Sequence, residues 1–151
     1  MTTVYDVPPQ LLIDQTAMKL QEIEQIAPPE WAADVKTGTH VETQPVQENW
    51  WHIRTAAVLR KVYVNGPIGT ERLAGEFGGS KDRKAKPYKA VKGSRSIIRH
   101  VLQQLEAAEL VAADKNRGRM ITPKGQSLLD NAAREVMKKL ASKDPELSKY
   151  Y

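Results

Sequence analysis

Positively charged side chains are concentrated in one part of the sequence, between Lys81 and Arg99. This window holds eight Lys or Arg residues and one acid, Asp82, so its net charge is +7. The whole chain carries +5, and the rest of the chain therefore sums to −2. Lys and Arg side chains neutralise phosphates and release counterions, and Arg can also bind two phosphate oxygens at once. The clustering predicts an anionic partner, with nucleic acid as the first candidate and an acidic membrane surface as the second.

Basic residues outside this window extend the candidate surface. Some lie in a strongly helical segment at residues 49–66, and others surround a predicted turn at residues 116–118. Tyr88, inside the window, has a ring that could stack on an exposed base. The residues predicted to contact nucleic acid are Arg54, Arg60, Lys61, Lys81, Arg83, Lys84, Lys86, Tyr88, Lys89, Lys92, Arg95, Arg99, Lys115, Arg117 and Arg119.

The sequence offers little for enzyme chemistry. His40, His52 and His100 are not spaced as a pair of metal ligands, and the chain has no Cys to serve as a ligand or nucleophile. The stretch GGSK at residues 78–81 lacks the spacing of a phosphate-binding loop. No nucleophile stands at a suggestive distance from a base. We therefore expect a protein that is not an enzyme and that has no metal and no cofactor.

Length and composition indicate one ordinary globular domain. Of the 151 residues, 40% are hydrophobic and 27% are charged, which suffices for a core without a metal or disulfides. The absence of Cys fits an intracellular protein, the N-terminal sequence does not resemble a signal peptide, and no apolar run is long enough to span a membrane. We expect residues 1–141 to form the domain and residues 142–151 to form a flexible C-terminal tail.

Hydrophobic periodicity and capping residues predict the elements of the first half of the chain. A first helix, with Asp6 as its cap, should continue to residue 26. Residues 36–48 should form a loop. Residues 49–66 should form a helix capped by Asn49, and this helix is apolar around most of its circumference. A helix of that kind should lie at the centre of the fold.

The same signals predict three elements in the middle of the chain. A short helix should begin with Thr70 as its cap and end at Gly78 and Gly79. The basic residues that follow should form a loop at residues 80–93. Ser94 should cap an amphipathic helix that continues to Leu110, with a buried stripe made of Ile97, Ile98, Val101, Leu102 and Leu105.

The predicted order of elements is that of a winged helix-turn-helix. Two short strands should surround a turn in which Asn116 and Gly118 can take positive φ, and Thr122 with Pro123 should start a last helix. The expected fold class is mainly α, a helical bundle around a central helix that contains a winged helix-turn-helix with a small β-hairpin wing. Winged helices bind DNA, RNA and proteins, so the fold alone leaves the partner open.

Several blocks of the sequence resemble one known family. They are PEWAADVK (29–36), ENWWHIRTAAVLRKVYVNGPIG (48–69), the Gly78–Gly79 pair, KGSRSIIRHVLQQLE (92–106) and GRMITPKGQSLLD (118–130). Together they resemble the archaeal and eukaryotic small-subunit ribosomal protein nineteen family, the S-nineteen-e family, from about residue 5 to residue 140. The blocks occur in the expected order and at the expected separations.

This resemblance implies a specific function. It implies a structural constituent of the head of the small ribosomal subunit, bound to the 3′ domain of the small-subunit rRNA, that assists late maturation of the subunit. The implied partners are small-subunit rRNA and its precursor, neighbouring small-subunit ribosomal proteins and assembly factors. We expect the protein to be ribosome-associated in the cytoplasm, and to be a monomer when free.

The resemblance also assigns individual residues. Arg54 and Arg60 match arginines of the family's central-helix motif, on its basic rRNA-facing surface, and Arg95 and Arg99 match basic positions of its KGSRS block. The family's hairpin-and-restart motif is matched by Gly118, Arg119, Thr122, Pro123 and Gly125. Residues 80–91 keep the basic character of the family without its residue pattern, and His100 stands where many relatives have a basic residue.

Two other functions remain open on the residues alone. A DNA-binding transcription regulator would use the same winged helix, with Gln103 and Gln104 as candidate base contacts late on the third helix of the unit. A protein–protein interaction module would use the basic segment to bind an acidic partner.

Overall fold

The computed structural model describes residues 2–150. The helices and strands in this range are α1 (Pro9–Leu20), α2 (Trp50–Asn65), α3 (Thr70–Glu76), β1 (Gly79–Arg83), β2 (Lys86–Val91), α4 (Arg95–Ala107), β3 (Val111–Asp114), β4 (Gly118–Ile121) and α5 (Pro123–Lys143). Short 3-10 helices lie at Val4–Asp6, Glu30–Ala33 and Pro145–Tyr150. The strands form two separate antiparallel pairs, β1–β2 and β3–β4. The predicted fold class is confirmed: α3, α4 and the β3–β4 wing form a winged helix-turn-helix within a mainly helical protein.

Helix α2 lies at the centre of the core, as its apolar pattern predicts. It contacts α1, α4, α5 and β4. The Thr55 hydroxyl is fully buried and donates a hydrogen bond to the carbonyl of Trp51 at 2.7 Å, so its burial leaves no unpaired polar group. The buried residues of the helix are Trp51, Thr55, Ala56, Val58, Leu59 and Val62. Asn49 precedes the helix without making a capping hydrogen bond, and Gly66 ends it with φ of 72°.

Helix α4 packs its predicted stripe into the core and begins where it should. The Ser94 hydroxyl accepts a hydrogen bond from the Ile97 amide at 3.3 Å, and all five predicted stripe residues are buried. The helix ends at Ala107, so the predicted end at Leu110 is wrong. Glu109 takes a left-handed φ of 63°, which reverses the chain and lets the Leu110 amide donate to the Leu105 carbonyl at 2.9 Å.

The β3–β4 wing is attached to the rest of the fold through the segment between α2 and α3. Ile68 forms a bridge with Arg119, in which each backbone amide donates to the other's carbonyl at 3.0 and 2.9 Å. Gly118 has φ of 96°, and a Cβ at this position would lie 2.6 Å from the Ile68 carbonyl carbon and oxygen. The positive φ predicted for Gly118 is confirmed, whereas Asn116 does not take positive φ. Gly118 therefore permits both the turn and the close approach of Ile68.

The predicted N-caps of α1 and α3 and the predicted end of α1 are wrong. Helix α1 ends at Leu20 and not at residue 26, because tight turns after Leu20 bring Ile26 into the core, where it is 2% exposed. Asp6 does not cap this helix; its carboxylate accepts from the Thr3 amide at 2.7 Å, within the preceding 3-10 turn. Thr70 is the first residue of α3 and Gly69 occupies its N-cap position.

The basic segment predicted as a loop is a β-hairpin, and this is the largest correction to the predicted elements. Strands β1 and β2 are joined by a tight turn in which Lys84 has a left-handed φ of 61° and its amide donates to the Asp82 carboxylate at 2.7 Å. Lys, Asp and Pro have low strand propensity, so the composition of the segment hides its strands. Backbone pairing across the turn overrides that preference.

Helix α5 begins as predicted, with the Thr122 hydroxyl accepting from the Gly125 amide at 3.2 Å and Pro123 at the first helical position. It continues to Lys143, and the 3-10 helix at Pro145–Tyr150 buries none of its residues. Tyr151, like Met1, lies outside the described residues. The flexibility of residues 142–151 stays a prediction.

Replacing Gly118 with Ala should destabilise the protein, because the new Cβ meets Ile68 and the backbone is in the left-handed region. We expect a loss of about 1–3 kcal/mol in the free energy of unfolding, measured with urea.

Gly75→Ala is the matched control for this substitution. A Cβ at Gly75, within α3, has no neighbour within 4 Å. The same chemical change should therefore stabilise the protein by up to about 1 kcal/mol, since Ala favours helix over Gly. Equal effects of the two substitutions would contradict the proposed role of Gly118.

Candidate nucleic-acid interface

The β1–β2 hairpin presents most of the basic window to solvent. Arg83, Lys84, Lys86 and Lys89 are exposed and Lys81 is half-buried. Within residues 2–150 none of these five side chains forms an ion pair. Their charges are therefore not neutralised by a carboxylate of the described chain. The hairpin carries uncompensated positive charge into solvent, as a phosphate-binding surface requires.

The base of this hairpin is held against the segment that precedes α2. The His40 ring lies between Gly38 and Gly79: a Cβ at either glycine would come within 2.7 or 2.8 Å of the ring. Gly38 also forms a β-bridge with Gly93, and the Ser94 amide donates to the Thr37 carbonyl at 2.9 Å. These contacts fix where the hairpin leaves the body of the protein.

Glu71 connects α3 to the N-terminal end of α4. Its carboxylate accepts hydrogen bonds from Arg95, one of them at 2.9 Å, and from Lys92. The Arg95 and Lys92 hydrogen bonds lower the pKa of Glu71 from its usual 4.5 to about 2. Glu71 therefore stays ionised at neutral pH and orients two of the predicted contact residues. One carboxylate shared by two cations leaves a net positive charge at this point.

Basic residues of the wing divide into two groups. Lys115 and Arg117 are exposed at the turn, and Arg117 lines a cleft together with Arg72 of α3. Arg119 points inward, where its guanidinium donates to Glu106 of α4 at 2.6 Å. Arg119 therefore ties the wing to α4, while Lys115 and Arg117 remain available to a ligand.

The basic residues of α2 are more buried than those of the hairpin. The Arg54 guanidinium lies over the Phe77 ring, 4.7 Å from its centroid, and burial lowers the pKa of this side chain from its usual value. Lys61 donates to Glu76 at 3.0 Å. Arg60 is half-buried, and its Nε is buried without a hydrogen-bond partner in the described part of the chain. These residues pack against α3 or the core as well as carrying charge.

Two basic residues absent from the sequence-based set join this surface. Lys36 lines the cleft at the base of the hairpin with Lys81, Lys92 and Arg95, and Arg72 lies beside Arg117. Lys36 belongs to the PEWAADVK block and Arg72 to a short helix, but neither has basic neighbours in sequence that would single it out. Only the folded chain brings them to the cluster.

The remaining predicted residues are exposed. Arg99 lies on the solvent side of α4, and the Tyr88 side chain on β2 is 71% exposed. Glu71 bonds to Lys92 and Arg95 near the start of α4 and lines the cleft that contains the wing turn, whereas the α2 residues lie partly within the body.

Within residues 2–150 no three His, Cys, Asp or Glu side chains cluster as metal ligands would. His52 contacts the Ile26 carbonyl at 3.2 Å, and His100 contacts the Ser96 carbonyl at 2.7 Å. Among the described helices, none is long and apolar enough to cross a membrane.

Replacing Arg95 with Gln should raise the pKa of Glu71 towards its usual value, because the hydrogen bonds from Arg95 are the main stabilisers of the ionised Glu71 carboxylate. In the unaltered protein the carboxyl should titrate near pH 2, so its contribution to stability is complete above pH 4.5 and lost as the pH falls towards 2. The measurement is NMR of the Glu71 carboxyl carbon.

Lys89→Gln removes the same charge without touching Glu71 and serves as the control, which should leave the pKa of Glu71 low. A pKa near 4.5 in the unaltered protein would refute this arrangement.

Arg54→Ala should lower the free energy of unfolding by about 1 kcal/mol, because it removes the guanidinium and its aliphatic stem from Phe77. Arg99→Ala removes an exposed Arg and should stay within about 0.5 kcal/mol of the unaltered protein. Urea unfolding of both variants measures the difference. If both variants lose the same small amount of unfolding free energy, the packing of Arg54 on Phe77 contributes nothing to stability.

Comparison with known proteins adds independent evidence. The model of the family described as Ribosomal protein S19e matches residues 3–139. The small ribosomal subunit protein eS19 of Thermoplasma acidophilum is 45% identical over 150 residues, covering 99% of both chains. The proteins of the same name from Aeropyrum pernix and Haloarcula marismortui are 44% and 43% identical, again over 99% of both chains.

These matches extend over nearly the whole chain, including α2, the basic hairpin and the wing. Family membership therefore does not depend on one motif, and the resemblance seen in the sequence blocks is confirmed. The chain belongs to the Ribosomal protein S19e family.

Proposed function

We propose that this chain is a structural constituent of the small ribosomal subunit that binds small-subunit rRNA. The observation that carries the proposal is the basic hairpin, whose five cations have no ion-pair partner within residues 2–150. Folded RNA presents closely spaced phosphates that such a surface can neutralise. The names of the full-length relatives support the ribosomal part of the proposal.

We further propose where and when the protein acts. The family resemblance supports binding in the head of the subunit, to the 3′ domain of the rRNA, and a role in late maturation. Its partners would be the rRNA and its precursor, neighbouring ribosomal proteins and assembly factors. It would be ribosome-associated in the cytoplasm and monomeric when free.

A DNA-binding transcription regulator is the second candidate, and the contacts of α4 argue against it. Winged-helix regulators read bases with side chains on the third helix. Here Gln104 accepts from the Trp51 indole at 2.8 Å and donates to the Ala27 carbonyl at 2.7 Å, so both of its polar atoms are engaged. Arg95, at the start of the helix, is held by Glu71. Gln103, the other predicted base contact, stays exposed, but it lies late on the helix, whereas base contacts come mainly from the N-terminal residues of such a helix.

Gradient sedimentation of a cell lysate tests the proposed function. A tagged chain should migrate with small subunits and their precursors, and nuclease treatment should release it because rRNA holds it there. A double substitution at the wing turn, Lys115→Gln with Arg117→Gln, should lower the ribosome-bound fraction.

The control is Lys138→Gln with Lys143→Gln, which removes two exposed charges from α5 and should leave sedimentation unchanged. A tagged chain that stays at the top of the gradient would refute the ribosomal role. A sequence-selective footprint on duplex DNA at physiological salt would favour the regulator.

A further inference from the structure

We propose that one face of the β1–β2 hairpin, together with the cleft at its base, holds a single RNA strand by consecutive phosphates, independently of base sequence. This inference rests on the proposed function, since it presumes that the partner is RNA. It adds which side of the hairpin takes the backbone, which residues beyond the sequence-based set take part, and why the hairpin has its irregular pairing.

A register shift in the hairpin places four cations on the same face. Lys81 is paired with Lys89, and Arg83 with Lys86, so each pair shares a face. Lys81 and Arg83 are two residues apart on β1 and therefore also share a face. The shift between the two pairs leaves Pro87 and Tyr88 opposite the single residue Asp82. In a regular strand, residues three apart such as Lys86 and Lys89 point to opposite faces, and the extra residue brings them to the same face.

The same geometry removes the acid and the aromatic ring from the cationic face. Asp82 lies between Lys81 and Arg83, and Tyr88 precedes Lys89, so alternation puts both on the other side of the hairpin. The Asp82 carboxylate accepts from the Lys84 amide at 2.7 Å and is thus used to shape the turn. A base stacked on Tyr88 would consequently lie across the hairpin from the phosphates.

Like charges directly opposite each other destabilise a pair of strands. The hairpin has two such pairs, Lys81 with Lys89 and Arg83 with Lys86, and no carboxylate within residues 2–150 forms an ion pair with any of the four. An arrangement that costs stability in the free protein becomes favourable when a polyanion lies along it. The phosphates of one RNA strand supply closely spaced negative charges along this face of the hairpin.

A cleft of about 870 Å³ continues the cationic face to the body of the protein. Lys81 and Val91 line it from the hairpin, Lys36 from the segment before α2, and Arg95 from the start of α4, with Lys92 just before that helix. Asp34 also lines the cleft, and Lys92 and Arg95 share the Glu71 carboxylate, so four cations stand against two acids there. The His40 ring packs between Gly38 and Gly79, and it therefore holds the base of the hairpin at a defined distance from the segment that precedes α2. A strand leaving the hairpin would pass into this cleft.

Salt-dependent binding tests the proposal. The probe is an oligouridylate of about 15 nucleotides, and its binding is followed by fluorescence anisotropy between about 50 and 200 mM salt. Each phosphate contact should make the logarithm of the binding constant fall by about 0.7 for every tenfold rise in salt. Lys86→Gln with Lys89→Gln should weaken binding about 25-fold at 0.1 M salt and reduce the slope by about 1.4. Lys36→Gln alone should reduce the slope by about 0.7.

The matched control is again Lys138→Gln with Lys143→Gln, which removes an equal charge from an exposed helix face. If the control loses as much affinity and slope as the hairpin variant, the proposal is overturned. A hairpin variant that weakens binding with an unchanged slope would also overturn it, since the loss would then not come from phosphate contacts.

A charge reversal separates a binding role from a folding role. Lys89→Glu places an acid opposite Lys81, so the free hairpin should gain several-fold protection against amide hydrogen exchange while RNA affinity falls. Opposite signs for the two effects support the proposal, because a variant that merely unfolded the hairpin would lose both. Retained RNA affinity in this variant would overturn it.

The outcomes distinguish this inference from the function on which it rests. If the unaltered chain binds neither the oligouridylate nor small subunits, the proposed function fails. If the unaltered chain sediments with small subunits and binds the oligouridylate, but the hairpin variants bind the oligouridylate as well as it does, only the present inference fails.

Discussion

Burial of α2 is the constraint on which the other features depend. This helix is apolar on nearly every side, so it can be removed from water only if other elements surround it. Its largest buried side chain, Trp51, is 1% exposed and hydrogen-bonds to Gln104 of α4. Truncation of such a side chain to Ala typically costs about 3–5 kcal/mol, a large part of the stability of a small domain. The α1, α4 and α5 helices are therefore held around α2 by a strong and non-directional force.

Enclosing α2 leaves little room on the body for a dense group of like charges. Three of the cations near the core are compensated locally: Lys61 by Glu76, Arg119 by Glu106, and Arg54 by the face of Phe77. The densest group of cations without an ion-pair partner in the described chain is carried on the β1–β2 hairpin. The helices thus form the apolar body, and the hairpin carries the charge that can bind an anionic partner.

Elements defined by a local apolar pattern or a strong cap were predictable from sequence, and those defined by tertiary pairing were not. Helices α2 and α4 follow from their buried stripes, and the start of α5 follows from Thr122 and Pro123. The β1–β2 strands escaped prediction because Lys-rich strands have no alternating apolar pattern. For the candidate site, the exposed hairpin cations were identified from charge clustering alone. Lys36 reaches the cleft only because the segment before α2 pairs with the segment before α4 through Gly38 and Gly93. The stacking of Arg54 on Phe77 depends on how α3 packs against α2. Neither arrangement leaves a signal in the local sequence.

The aromatic cluster around Trp51 has an optical consequence. Trp31 and Trp50 both meet Trp51 edge to face, at centroid distances of 5.6 and 5.5 Å, and the chain contains three tryptophans in all. Every indole chromophore therefore belongs to a single, closely coupled group inside the body. Indole emission, excited where tyrosine does not absorb, would monitor the integrity of that group without a contribution from Tyr88 on the hairpin. The molecule thus carries a built-in internal reference, against which a label placed on the hairpin could be read separately.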